Sequence, residues 1–261
     1  MVSTAPRILL AVPTLGQRLE LLQRTLASAQ GSRQVVVDPV IVCPAASPEL
    51  AALASAHNAE LLVAPGHISA AVNRAFRLAS AEHRYGAWIG DDDMVVAHGV
   101  SRAAAALDER PDAVMAYGDC DFINVDGATL FVRRPPPAAR WLMHFVPGLI
   151  KSEACLFRLD ALRQVGGLDE SLRYAMDVDL ILRLRRIGSA VRVPTSMGRF
   201  CIHADSITIR NRVLSFEEAQ RVQLAAAGPG LGFVLRAVQP LLMRVLLLGA
   251  TRMNARKVAV D

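Results

Sequence analysis

Three consecutive aspartates, Asp91-Asp92-Asp93, close an apolar run that reads Tyr85-Gly-Ala-Trp-Ile-Gly90. An apolar run ending in acids describes a buried strand that delivers carboxylates to a sheet edge. In open α/β sheets ligands bind outside the carboxyl ends of the strands. Carboxylates crowded there repel one another, so the cluster costs stability unless a cation compensates. Hard ions that take oxygen ligands, such as Mg²⁺, Mn²⁺ or Ca²⁺, suit such a site. A solvated acidic turn after a strand is the plainer alternative.

The elements around the triplet have a regular order. Arg7–Pro13 is an apolar run closed by proline, a buried strand. Leu19 to Ala29 carries Leu19, Leu22 and Leu26 at helical spacing. Val35 to Val42 is β-branched, Pro48 to His57 is alanine-rich and helical, and Glu60 to Ala64 is a third short strand. Ser69 to Glu82 puts Val72, Phe76 and Ala79 on one helical face, and the strand into the aspartates follows. Strand alternating with helix in this way is a doubly wound, mostly parallel pattern.

The second half reads differently. Ala113 to Phe122 is strand-like, Asn124-Val-Asp-Gly127 is a hairpin turn, and Ala128 to Val132 returns. An irregular segment from Gly148 enters a strand by Phe157. Asp177 to Ile187 is a helix ended by Gly188, and Ala190 to Val193 is a last strand. The expected division is 1–112 as the first half of one domain, 113–227 as the second half of the same domain, and 228–261 as an apolar, basic helical tail. The longest charge-free run entering the tail, Val222 to Leu235, is too short to span a bilayer, which takes roughly 20 residues. It reads as an interfacial membrane helix or as a helix packed on the catalytic domain or on another subunit.

Composition bounds the rest. The chain has 261 residues, 52% of them hydrophobic, ample for one large domain. Cys43, Cys120, Cys155 and Cys201 are scattered without CxxC spacing and read as buried thiols in a reducing compartment. The N-terminus runs straight into a strand, without a signal-peptide pattern. The expected location is the cytoplasm, with peripheral attachment at the inner face of the cell membrane. A net charge of +5 fits phosphorylated small substrates or an anionic membrane surface. Nucleic acid is not the expected partner, because no nucleic-acid-binding motif accompanies the charge.

Four blocks in order resemble a family-2 glycosyltransferase with the GT-A fold, of the nucleotide-diphospho-sugar transferase superfamily, from about Arg7 to Thr208. They are Ala11-Val-Pro-Thr14, Gly66-His-Ile-Ser-Ala-Ala-Val-Asn73, Trp88-Ile-Gly-Asp-Asp-Asp-Met94, and Val165-Gly-Gly-Leu-Asp169 followed by Tyr174-Ala-Met-Asp-Val-Asp179. The resemblance implies a Rossmann-like mixed α/β sheet flanked by helices. It implies an inverting, metal-dependent transfer of a sugar from a nucleoside-diphosphate sugar to a hydroxyl of a glycan or lipid-linked acceptor. It assigns donor binding to Pro13, Thr14, Gly66, Asn73, Asp91 and Asp92. It assigns Mn²⁺ or Mg²⁺ to Asp91, Asp93 and His203, with Asp92 as principal ligand in the alternative register. It assigns the catalytic base to Asp177, with Asp179 as rival. Three positions depart from the family pattern: Gly90 in the acidic motif, Met176 before Asp177, and Cys43 where a base-binding aspartate is common. They leave a catalytically degenerate binding scaffold open. A nucleotidyltransferase is disfavoured, because Pro13-Thr-Leu-Gly-Gln-Arg18 has one glycine and no lysine.

Overall fold

The computed structural model describes residues 5–31, 34–203, 211–228 and 230–239. Its sheet is built outward from β1 (Arg7–Pro13), whose five inner residues are buried. Leu9 and Ala11 enter one core and Ile8, Leu10 and Val12 the other, the alternation of a strand covered on both faces. β2 (Val36–Cys43) and β4 (His83–Trp88) pair with β1 in parallel, and β3 (Glu60–Val63) adds in parallel to β2. Ala11 is level with Val40 on one side and Trp88 on the other, so these strands end together.

Beyond β4 the sheet turns mixed. β8 (Cys155–Arg158) runs antiparallel between β4 and β6 (Ala113–Ile123), and β9 (Ser189–Cys201) runs parallel to β6. The two-residue β5 (Met94–Val95), just after the aspartates, pairs antiparallel with β9 near its end. The order is β3-β2-β1-β4-β8-β6-β9-β5, with β7 (Thr129–Arg133) returning on β6. One sheet thus runs through both halves of the chain, as an α/β mixed sheet flanked by helices.

Helices α1 (Leu19–Ala29), α2 (Pro48–Ala56) and α4 (Ala97–Glu109) cover one face through Leu22, Leu26, Leu50 and Leu107. Helices α3 (Ile68–Arg77), α6 (Leu159–Gln164) and α7 (Met176–Leu184) cover the other through Phe76, Leu162 and Leu180. The short α5 is Ala139–Leu142, and α8 (Arg212–Ala226) packs on α7.

Three differences from the sequence reading have physical reasons. α3 stops at Arg77 rather than Glu82, because a turn takes over in which the Ser80 N–H donates to His83 Nδ1, 3.1 Å. β9 continues eight residues beyond Val193, past Pro194. A proline lacks the N–H a ladder needs, but the register with β6 shifts between Tyr117 and Asp119, where Pro194 passes. Residues 230–239 are helical with Leu235 and Gln239 buried, and Gln239 Nε2 donates to Gln223 Oε1 of α8, 3.3 Å. Phe233, Val234 and Val238 are exposed on that helix. Arg244 and Arg252 of the expected tail lie outside the described residues. No helix among the described residues is long and apolar enough to cross a membrane. All four cysteines are buried and free.

Candidate functional site

Because β1 and β4 end level, the turns that follow them meet. Pro13 closes β1 opposite Val42, and the Thr14 N–H donates to Val42 O, 2.9 Å. Thr14 Oγ1 donates to Asp91 Oδ2, 2.5 Å, and accepts from the Gly16 N–H, 2.9 Å. Asp91 is buried, and that burial raises its carboxyl pKa while Thr14 and Arg18 pull the other way.

Arg18, the residue before α1, is the centre of the cluster. It bonds Asp91 Oδ1 through Nη2 and Asp92 Oδ2 through Nη1, the latter at 2.8 Å. Nη1 is also 2.8 Å from His203 Nε2, and His203 Nε2 is 2.5 Å from Asp92 Oδ2. One imidazole nitrogen either donates to Asp92 or accepts from Arg18, but not both. Burial works against the Arg18 charge, yet the two aspartates raise its pKa overall.

The structure therefore brings Thr14, Asp91, Asp92 and His203 together. It does not bring Asp93 in. Asp93 is buried with both oxygens engaged by backbone: Oδ1 accepts from the Cys201 N–H, 2.9 Å, and Oδ2 from the Gly90 N–H, 3.1 Å. It ties the aspartate turn to the end of β9, two residues before His203. Burial, with Glu153 and Asp92 nearby, holds its pKa well above the usual carboxylate range. Gly90 is required beside it, since a Cβ there would stand 2.6 Å from Asp92 Oδ1 and 2.9 Å from Asp93 Oδ2.

Gly66 takes φ +139°, a region that favours glycine, as the chain turns into α3. Asn73 is engaged away from the acids. Its Nδ2 donates to Leu168 O, 2.9 Å, and Glu170 Oε1, 3.0 Å, and its Oδ1 accepts from the Leu168 N–H, 2.9 Å. It clamps the glycine-rich 166–170 loop to α3. A cavity of about 450 Å³ beside that clamp is lined by Asn73, Phe76, Arg77, Leu162 and Arg163 among others and includes none of the clustered acids.

Asp177 lies in the first turn of α7, partly buried, with Oδ1 accepting from the Val178 N–H, 2.8 Å. Burial raises its pKa, Lys151 opposes the rise and Glu153 adds to it. Lys151 Nζ is 3.8 Å from Glu153 Oε2 and 4.3 Å from the Phe200 ring centroid. Burial disfavours its charge, but Glu153, Asp177 and Asp93 among others raise its pKa overall. One partly buried ammonium thus lies within electrostatic reach of both Asp177 and Asp93. Asp179 is committed elsewhere, with Oδ2 accepting from Arg183 Nε, 2.8 Å. Glu218 of α8 reaches the entry to α7, where Oε2 accepts from the N–H groups of Arg173, Tyr174 and Ala175 at 3.1, 2.6 and 2.8 Å.

Two carboxylates and an imidazole converging on one cationic group are a donor set that suits Mn²⁺ or Mg²⁺. Among the described residues no three His, Cys, Asp or Glu side chains are gathered as they would be around one ion. Arg18 stands among the donors instead. Sequence reasoning missed Arg18, Lys151, Glu153 and Glu218. For Lys151 a signal existed: it is one of only two lysines among 29 basic residues.

No family model and no curated protein matches the chain by sequence. Solved structures match its fold. The mannosyltransferase PcManGT from Pyrobaculum calidifontis, in complex with GDP-Man and Mn²⁺, superposes with TM-score 0.64 at 15% identity, over 99% of this chain and 81% of that one. S. aureus TarS superposes with TM-score 0.59 at 14% identity, over 84% of this chain but only 39% of TarS. Its 1–349 fragment with UDP superposes with TM-score 0.60, over 65% of the fragment. What this chain shares with them is the fold, a GT-A-like glycosyltransferase sheet with its helices.

Proposed function

We propose that this protein is a glycosyltransferase that moves a sugar from a nucleoside-diphosphate sugar to a hydroxyl group, with inversion at the anomeric carbon and with Mn²⁺ or Mg²⁺ bound. The observation that carries the reading is the convergence of Asp91, Asp92 and His203 on Arg18, just past the ends of β4, β9 and β1. The similarity to structures holding GDP-Man or UDP supports it, as does the order of the four sequence blocks.

Asp91, Asp92 and His203 would hold the ion, which supplies electrostatic stabilisation to the departing diphosphate. Thr14 orients Asp91, and Asp93 fixes the turn against β9 so that His203 and the aspartates keep their spacing. Pro13, Thr14 and Gly66 line the donor side, while Asn73 acts through the loop it clamps. Asp177 takes the proton from the acceptor hydroxyl. Asp179 does not, because Arg183 neutralises it. Lys151 opposes the rise in the Asp177 pKa that burial causes. Once donor and acceptor are aligned, positioning and field supply most of the rate.

The proposed acceptor is a glycan or a lipid-linked glycan at the inner face of the cell membrane. The exposed Phe233, Val234 and Val238 beside Arg236 support attachment of that end of the chain to a membrane surface.

Incubating the full chain with a panel of nucleotide sugars and Mn²⁺, and measuring released nucleoside diphosphate, tests the reading without a known acceptor. Release that depends on the ion and is lost in an Asp91→Ala/Asp92→Ala variant is expected. Absence of both nucleotide binding and release across the panel would leave the non-catalytic scaffold as the better reading.

A further inference from the structure

The guanidinium of Arg18 occupies the space between the side chains to which the divalent ion has been assigned. It bonds both carboxylates and lies 2.8 Å from the imidazole nitrogen. Asp91 and Asp92 are 5% and 13% exposed as side chains, so they need a partner when no ion is bound. Charge decides how many partners they hold. Two carboxylates with the guanidinium leave one net negative charge, and with a divalent ion they balance. With both, a positive charge is left over at short range.

The imidazole adds a second reason. His203 Nε2 and Arg18 Nη1 crowd one oxygen, Asp92 Oδ2, and no donor–acceptor arrangement satisfies all three contacts at once. An ion accepting the Nε2 lone pair removes that conflict, provided the guanidinium withdraws. Arg18 can withdraw cheaply. Its side chain is 37% exposed, its backbone is non-helical at φ −124°, ψ 60°, and its connection includes Gly16 at φ +73° and the exposed Leu15. None of these is a core position that must be broken.

We propose that Arg18 is a displaceable counter-ion: it neutralises Asp91 and Asp92 in the ion-free protein, leaves them when the divalent ion enters, and swings onto the diphosphate that arrives with the ion. This rests on the metal-assisted reading above and deepens it. A guanidinium released beside a diphosphate finds a bidentate oxyanion partner of the kind it has just lost. Apparent ion affinity without nucleotide is then reduced by the fraction of protein in which Arg18 occupies the site.

The test is a Mn²⁺ titration of the full chain without nucleotide, following the electron paramagnetic resonance signal of free Mn²⁺, for wild type, Arg18→Met and Arg18→Gln. Loss of the competitor should tighten Mn²⁺ binding roughly tenfold, the scale of a charge-assisted hydrogen bond. Thermal unfolding provides a second readout that survives weak folding of either variant. Ion-free Arg18→Met should melt below wild type, and Mn²⁺ should raise its melting temperature by more than it raises that of wild type. At saturating Mn²⁺, UDP or GDP should bind the variants more weakly than wild type. Equal or weaker Mn²⁺ binding in both variants overturns the counter-ion while leaving the metal reading intact. No Mn²⁺ binding to wild type or to either variant overturns both.

Discussion

A carboxylate that accepts a proton from a hydroxyl must be ionised, and the surroundings of Asp177, the proposed base, work against that. Burial raises its pKa and Lys151 counters the rise. Activity is therefore expected to fall as pH drops through the Asp177 pKa. Lys151→Met should raise that pKa further and move the acid limb of the kcat/KM profile to higher pH, with the alkaline limb little changed. An unmoved acid limb would take Lys151 out of the proton-transfer step. Asp177→Asn should lower transfer by about 10²-fold or more with donor affinity nearly intact. Asp179→Asn should cost far less, and the reverse ranking would show the wrong carboxylate was chosen. Asp91 and Asp92 were legible in the chain as acids after an apolar strand, whereas His203 was singled out only through the family resemblance. Arg18 was not legible, since it meets partners 73 and 185 residues away. The use of Asp93 was hidden for the same reason, because its partner is a backbone N–H 108 residues on.

Between elements, the contact that most affects the site joins α8 to α7. The Glu218 carboxylate accepts three N–H groups that lead into the helix carrying Asp177, where a negative charge also favours the helix dipole. Glu218→Ala strands those donors in a buried place. The expected loss is about 1–3 kcal/mol, read as a melting temperature several degrees lower, with a fall in kcat because Asp177 is no longer held. Full stability in Glu218→Ala would make the contact incidental. Most elements of the first half follow from periodicity, since each strand there is a short apolar run and each helix has one apolar face. The extension of β9 does not. Pro194 argues for a stop, and only the register shift on β6 lets the strand run on to Cys201. α4 and α8 also went unread: α4 is an alanine-rich stretch whose apolar face emerges only against the sheet.

At the scale of the molecule, β8 between β4 and β6 joins the parallel half to the mixed half. Such non-local pairing has no periodic signature, so the sequence indicated a mixed sheet only through the family resemblance. The tail is continuous with this body as far as residue 239, since Leu235 and Gln239 are buried and Gln239 bonds α8. A chain ending at Ala227 is therefore expected to melt lower than the full chain rather than to lose membrane binding alone. A cleaner probe is Phe233→Glu, because Phe233 is 77% exposed and its replacement should leave the melting temperature unchanged. Co-sedimentation of the full chain with anionic vesicles should fall in this variant and weaken with salt, as screening requires. Binding that is insensitive to Phe233→Glu and to salt would remove the support for a membrane-side acceptor.

Gly90 also constrains the routes by which this acidic motif can change. The space a side chain would need there is filled by the carboxylates of Asp92 and Asp93. Placing acids at positions 90 and 92 instead is not a single step: a side chain at 90 on the present background pushes on Asp92 before it can contribute a ligand. Asp93 would first have to release its hold on the end of β9, through a substitution unfavourable on its own. Of two mutational orders leading to the same pair, the one that begins at Gly90 meets both carboxylates at once, and the one that begins at Asp93 first gives up the bonds to the Cys201 and Gly90 N–H groups.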